Sequence, residues 1–115
     1  MREIKASSIT ETVRDLVMDA NYYIGEDVLN ALKTSIEKET SPTAKDILKM
    51  ILRNHEIASG EKMPMCQDTG VAVFFIEIGQ DVHITGGNYE DAVNEGVRQG
   101  YKEGYLRKSL VGDPV

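Results

Sequence analysis

The residues most able to do chemistry in this 115-residue chain form one short stretch, Cys66-Gln67-Asp68-Thr69-Gly70, which contains the only cysteine. A thiol, an amide, a carboxylate and a hydroxyl follow one another there. Such a turn can orient a thiolate and bind an oxygen-rich ligand, and Gly70 permits a backbone turn that other residues resist. By spacing alone, however, the favoured interpretation is a surface turn with the cysteine as a small filler. A metal motif normally shows two or more ligands close together.

Composition limits the classes of protein that this turn could serve. The chain has 13 basic and 19 acidic residues, a net charge of −6, which argues against a broad nucleic-acid-binding surface. No apolar stretch approaches membrane-spanning length, and residues 1–13 contain no apolar signal core. One cysteine excludes an internal disulfide framework and is typical of a reducing compartment. We therefore expect a single cytoplasmic domain with neither a nucleic-acid nor a membrane partner.

Apolar residues at helical spacing predict three helices in the first half of the chain. Residues 8–11, Ser-Ile-Thr-Glu, have the pattern of a capping box before the first helix. The second helix is expected to begin at residues 26–27. Ser41 is the expected cap of the third helix and Pro42 its first residue, and Gly60 is expected to end it.

The second half of the chain predicts strands before a last helix. Residues 71–76 are continuously apolar and β-branched or aromatic, which favours a strand buried on both faces. Residues 82–84 predict a short second strand, and Asn88 is expected to cap the next helix. The order of elements predicts an α+β fold with three N-terminal helices, then a buried strand pair and a glycine-striped helix.

The stripe on that last helix consists of glycines four residues apart, at positions 96, 100 and 104. Each glycine costs about 1 kcal/mol in helix propensity relative to alanine. Three such costs on one face predict very close approach by another backbone. Tight helix packing is favoured over contact with a ligand.

Four stretches in order carry a resemblance to a known family. They are PMCQDTGVAVFFIEIG from Pro64, DVHITGG from Asp81, NEGVRQGYKEGYLRKS from Asn94 and GDPV from Gly112. Together they resemble the alpha region of the class I, iron–sulfur-dependent fumarate hydratases, which in many members is a separate subunit. The alpha subunit of the related L-tartrate dehydratase is very similar. The resemblance spans residues 8–115 and implies the N-terminal part of an incomplete alpha domain in residues 1–115.

The resemblance implies roles for individual residues. In that family the cysteine of the CQDTG turn is one of three thiolates that hold a [4Fe–4S] cluster, which makes Cys66 a metal ligand. The open iron acts as a Lewis acid in the reversible hydration of fumarate to (S)-malate. Gln67 and Asp68 would hydrogen-bond the substrate, and Asp68 would be the catalytic residue of the two, although it could equally cap the turn. Arg107 would bind a substrate carboxylate, while Lys108 is expected to be a solvated neighbour.

The resemblance also implies partners, because the other two cluster cysteines are absent from this chain. They belong to the remainder of the alpha region, and a beta subunit or beta domain supplies further cationic contacts and the base. The complete enzyme is expected to be a homo-oligomer that acts on a small dicarboxylate, and the isolated chain is expected to be inactive. The final residues 104–115 end without a helix cap, which favours a chain cut before its next element.

Two alternatives remain open at this stage. The chain could belong to an L-tartrate dehydratase, with the same cluster and elimination chemistry, or it could be a non-catalytic assembly or binding module. The two histidines are expected to be structural: His55 near the C-terminal end of the third helix, where a cation suits the helix dipole, and His83 packed or hydrogen-bonded within a strand.

Overall fold

The computed structural model describes residues 1–113, so that Pro114 and Val115, which end the GDPV motif, lie outside the described residues. Its elements, in chain order, are β1 (Arg2–Lys5), α1 (Ala6–Tyr22), α2 (Glu26–Lys38), α3 (Pro42–Glu61), β2 (Val82–Thr85) and α4 (Tyr89–Glu103). The predicted α+β class and the three helices before β2 are confirmed. Within residues 1–113, no helix combines the length and apolarity needed to cross a bilayer.

The chain divides into two compact units. Unit 1 comprises Met1–Asp19 together with the chain from Gln67 onward, and unit 2 comprises Ala20–Cys66. In unit 2, α2 packs against α3, and Ala58 is the buried residue of α3. Unit 1 contains β1, β2, α4 and most of α1.

Helices α3 and α4 begin directly after the residues that the sequence predicts as their caps. The hydroxyl of Ser41 accepts a hydrogen bond from the amide of Ala44 at 3.3 Å, and Pro42 is the first residue of α3. The side-chain oxygen of Asn88 accepts from the amide of Asp91 at 3.2 Å at the start of α4. These predicted caps are confirmed.

Two helix boundaries differ from the predicted ones. Helix α1 begins at Ala6, directly after β1, so that Ser8 lies inside the helix and does not cap it. Helix α3 passes through Gly60 and ends at Glu61, and its C-cap residue Lys62 adopts a left-handed conformation with φ of 53°. The amide of Met63 then donates to the carbonyl of Ala58 at 2.9 Å. This bond satisfies one of the last helix carbonyls, so a lysine caps the helix where a glycine was expected.

The predicted short strand at residues 82–84 is confirmed as β2, but the predicted buried strand at residues 71–76 and its pairing with β2 are wrong. The observed sheet pairs β1 with β2 in parallel, with Arg2 opposite Val82 and Lys5 opposite Thr85, and β1 was not predicted. Residues 71–78 are not a strand, and all of them except Phe74 are exposed. A strand needs a ladder partner, and among the described residues β1 and β2 pair only with each other.

Helices α1 and α4 approach closely in unit 1, and two glycines of α4 face α1. A Cβ atom at Gly96 would lie 2.6 Å from the Cβ of Val13, and one at Gly100 would lie 2.9 Å from the carbonyl oxygen of Arg14. The hydroxyl of Thr10 donates to the carbonyl of Ala92 at 2.9 Å across the same contact. Side chains larger than hydrogen at positions 96 and 100 would therefore push the two helices apart.

We predict that Gly96→Ala destabilises the chain by about 2 kcal/mol, because steric overlap with Val13 outweighs the roughly 1 kcal/mol gain in helix propensity. Urea unfolding followed by circular dichroism measures the change. The matched control is Gly60→Ala, because Gly60 lies within α3 and a Cβ there would meet no atom within 4 Å. The control should gain about 1 kcal/mol, and equal effects at the two positions would contradict the contact.

Candidate functional site

The polar turn from Gln67 to Gly70 is joined to a distant part of unit 1. The hydroxyl of Thr69 donates a hydrogen bond to the main-chain carbonyl of Arg107, 38 residues further along the chain. Gly70 adopts a φ of 61°, the left-handed conformation that favours glycine. The structure thus brings together two segments that the sequence marked separately as candidates for ligand binding.

A tight helix ending presents Arg107. Gly104 ends α4, and its amide donates to the carbonyl of Gly100 at 2.9 Å. Tyr105 follows with a left-handed φ of 57°, and the amide of Leu106 donates back to the carbonyl of Tyr101 at 2.9 Å. This is the hydrogen bond of a Schellman motif. Leu106 is buried, with 5% of its surface exposed. Its packing therefore fixes the position of the backbone at which Arg107 begins.

The guanidinium of Arg107 is exposed and makes no ion pair among residues 1–113. Two other arginines of unit 1 are neutralised locally. Arg98 donates to Glu95 at 2.6 and 2.7 Å, and this contact, with a further bond from Gln99, lowers the pKa of Glu95 to about 2. Arg14 lies 3.0 Å from Asp15, which raises the pKa of Arg14. Arg107 therefore remains available to an anionic ligand.

Cys66 is the last residue of unit 2, and its neighbour Met65 is fixed there on both sides. The amide of Met65 donates to the carbonyl of Asn21 at 2.9 Å, and the side-chain amide of Asn54 donates to the carbonyl of Met65 at 2.8 Å. The thiol that follows is exposed. Asn54 was missed by the sequence analysis, because a side chain that binds a main-chain carbonyl 11 residues away leaves no spacing signal.

The remaining candidate residues divide between the two units. Gln67 and Asp68 belong to unit 1 and are exposed. His55 is half-buried in α3, and its Nδ1 has no hydrogen-bond partner among the described residues. His83 was expected to be packed or hydrogen-bonded within a strand; it lies in β2 but is exposed, so packing is the wrong one of these two alternatives.

The iron–sulfur cluster that the resemblance implies needs several thiolate ligands. Within residues 1–113, no group of three or more histidine, cysteine or acidic side chains could hold a metal ion. The exposed Cys66 thiol suits one ligand position of a cluster, since thiolates are the usual ligands of iron–sulfur centres. This chain alone does not complete a three-thiolate set.

The turn carries a carboxylate and is bonded to a segment with an exposed guanidinium, a group that can bind an anionic, oxygen-rich ligand. Comparison with known proteins defines the family more narrowly. The chain belongs to the fumarate hydratase family, because the family model described as "Fumarate hydratase (Fumerase)" matches residues 10–115.

Individual relatives come from both branches of the resemblance. The chain is 36% identical to a Methanocaldococcus jannaschii protein named "Putative L(+)-tartrate dehydratase subunit alpha", over 90% of this chain and 36% of that protein. It is 32% identical to the aerobic class I fumarate hydratase of Escherichia coli, over 93% of this chain and 20% of the enzyme. It is 27% identical to the alpha subunit of E. coli L(+)-tartrate dehydratase, over 91% of this chain and 34% of the subunit. The chain thus spans about a third of the length of these alpha subunits.

The left-handed conformation of Tyr105 predicts a stabilising substitution. A non-glycine residue in this region costs roughly 1 kcal/mol, and Tyr105 is 88% exposed, so Tyr105→Gly removes strain and little contact. We expect the free energy of unfolding to rise by about 1 kcal/mol in urea titrations. Lys102→Gly, three residues earlier within α4, should instead lower it by a similar amount. A loss of stability in both variants would contradict the proposed strain.

Removal of the bond from Asn54 should loosen the backbone beside Cys66. Asn54→Ala removes a hydrogen bond worth about 1 kcal/mol, so the amide of Met65 should exchange with solvent about fivefold faster. Hydrogen–deuterium exchange with single-residue resolution measures this rate. Asn30→Ala, an exposed position on α2 of the same unit, should leave the rate unchanged. An unchanged rate in Asn54→Ala would show that this bond does not hold Met65.

Proposed function

We propose that this chain is the N-terminal part of the alpha region of a hydro-lyase that interconverts fumarate and (S)-malate. The observation that carries the proposal is the hydrogen bond from Thr69 to the carbonyl of Arg107. It joins residues 64–70, with which the first stretch of the family resemblance begins, to the segment that bears an available guanidinium. The match to the family model over residues 10–115 supports the same assignment.

Arg107 is the proposed contact for a substrate carboxylate. Its planar guanidinium can donate two parallel hydrogen bonds to a carboxylate, a geometry that lysine lacks. A dianionic substrate approaching a chain of net charge −6 needs such a local cation to offset the surrounding acidic residues. Arg107 is suited to this because Arg14 and Arg98 are already paired with carboxylates.

Gln67 and Asp68 are the proposed contacts for the remainder of the substrate. The amide of Gln67 can donate to a carboxylate oxygen, and the carboxylate of Asp68 can accept from the substrate hydroxyl. Asp68 is the proposed residue for holding or moving a proton at that hydroxyl. Both residues are exposed in the turn whose Thr69 is bonded to Arg107.

Cys66 is the proposed ligand of a [4Fe–4S] cluster, and two further thiolates must come from polypeptide outside these 115 residues. When bound, a cluster with one iron free of protein ligands supplies a Lewis acid for the departing hydroxyl. The proposed partners are therefore the remainder of an alpha region and a beta subunit or domain. The isolated chain is expected to have no hydro-lyase activity.

A second candidate function is L(+)-tartrate dehydratase, because two of the relatives described above carry that name. Tartrate differs from malate by one additional hydroxyl, and loss of water from either substrate uses the same bond changes. The complete enzyme, assembled without air, should be assayed with (S)-malate and with L(+)-tartrate at equal concentrations. A higher kcat/KM on tartrate would replace the proposed substrate and leave the reaction class intact.

Substitutions in that complete enzyme test the residue roles. Arg107→Ala should raise KM for (S)-malate by about 10- to 100-fold, because a charged hydrogen-bond pair is lost, with iron content unchanged. The neighbouring Lys108→Ala is the matched control and should change KM by less than about twofold, as expected for an exposed ion. Unchanged kinetics in Arg107→Ala would remove the carboxylate role.

Cys66→Ala in the same enzyme should abolish the visible absorbance of the cluster and the activity together, because one thiolate ligand is lost. Iron analysis and electron paramagnetic resonance measure the cluster directly. Full iron content in Cys66→Ala would contradict the assignment of this thiol as a ligand.

A further inference from the structure

Residues 71–78, here called the apolar segment, expose an unusual concentration of large hydrophobic side chains. Phe75 is 96% exposed, and Val71, Val73, Ile76 and Ile78 are each at least 47% exposed. Isolated hydrophobic residues on a surface need no explanation, but a contiguous apolar run marks an interaction site. Glu77 is the only charged residue in the run.

The apolar segment borders an open groove of about 570 Å³ within unit 1. Its walls are mainly apolar and come from four elements and from the segment itself: Ile4 of β1, Leu16 of α1, Ile84 of β2, Val93 of α4, and Phe74 and Ile78 of the segment. Leu16 is 52% exposed although it lies on the apolar face of α1. The groove and the apolar segment together form one apolar surface of unit 1.

The sheet beside this surface is incomplete by the usual rules for parallel strands. Parallel sheets are normally covered on both faces, and a sheet of two strands is marginal by itself. The segment Val-Ala-Val-Phe-Phe-Ile-Glu-Ile contains no glycine or proline and is rich in residues that favour strands. The partner that fits this surface is therefore an apolar, strand-forming polypeptide, which would be recognised by main-chain pairing and side-chain burial.

We propose that the groove and the apolar segment bind the polypeptide that makes up the other two-thirds of an alpha subunit, and that residues 71–78 become a strand in doing so. The lengths of the relatives indicate which polypeptide covers this surface, because this chain matches only 36% and 34% of two alpha subunits. The inference rests on the proposed function only in taking an alpha subunit as the assembled form. It adds the surface through which the assembly is made.

Docking at this surface also bears on the ligand-binding turn. The apolar segment begins directly after Gly70, so pairing of residues 71–78 with a neighbouring strand fixes the C-terminal side of the turn. Thr69 already ties the turn to the carbonyl of Arg107. The turn is then held both by the bond from Thr69 and by the strand that follows Gly70, and such restraint keeps a site in a productive geometry.

The test uses the M. jannaschii subunit as a source of the missing polypeptide. The part of that subunit outside its matched 104 residues is co-expressed with this chain, and complex formation is measured by sedimentation and by hydrogen–deuterium exchange. We expect a 1:1 complex in which the amides of residues 71–78 become protected. The same probe co-expressed with its own matched part is the positive control for a folded probe.

Two substitutions make the test specific. Phe75→Glu should weaken the complex by about 100-fold or more, because burial of an aromatic side chain is replaced by burial of a charge. The exposure of Phe75 means that the free chain should keep its circular dichroism spectrum. Met50→Glu, at a 70% exposed position on α3 of unit 2, is the matched control and should bind within about twofold of the parent chain.

Three results would overturn the proposal. The first is that the probe binds its own matched part but does not bind this chain. The second is that the amides of residues 71–78 are already protected in the chain alone at low concentration. The third is that the chain associates with itself and that Phe75→Glu abolishes this association. The last result would assign the surface to a second copy of the chain. None of these measurements uses substrate or iron, so the two proposals can fail separately. Docking of the probe, together with a complete alpha–beta enzyme that turns over neither malate nor tartrate, would contradict the proposed function alone.

Discussion

The contact between α1 and α4 is the constraint on which unit 1 depends. At Gly96 and Gly100 the two backbones lie so close that no side chain fits between them, and the bond from Thr10 to the carbonyl of Ala92 continues the contact toward the start of α4. Helix α1 follows β1 without a loop, and α4 ends immediately before the segment of Arg107. The same contact therefore fixes the sheet at one end and the candidate carboxylate contact at the other.

The elements that were predictable from sequence are those whose determinants are local. Ser41 and Asn88 accept bonds from amides three residues later, so the cap and its target lie within one short stretch. The parallel pair of β1 and β2 joins residues about 80 positions apart, and the first strand is only four residues long, which leaves almost no pattern to detect. Residues 71–78 have the composition of a buried strand, but composition does not supply the ladder partner that a strand needs, and among the described residues none pairs with them.

The candidate site was predictable in its residue types but not in its geometry. The stretch from Cys66 to Gly70 drew attention because it combines several functional groups, and the family resemblance assigned roles to them. Nothing in the sequence linked Thr69 to Arg107, because the acceptor is a main-chain carbonyl whose position depends on the left-handed conformation of Tyr105 after α4. Asn54 was missed for the same reason, since its partner is the carbonyl of Met65.

Because of the bond between Thr69 and Arg107, the position of residue 107 in the fold does not depend on which side chain it carries. The acceptor of this bond belongs to the backbone, so an exchange of the side chain at that position leaves the attachment in place. Substitutions at position 107 could then change which hydroxy acid is recognised while the backbone of the site stays the same. A family whose members are named for both fumarate and tartrate is consistent with such independence of framework and selectivity.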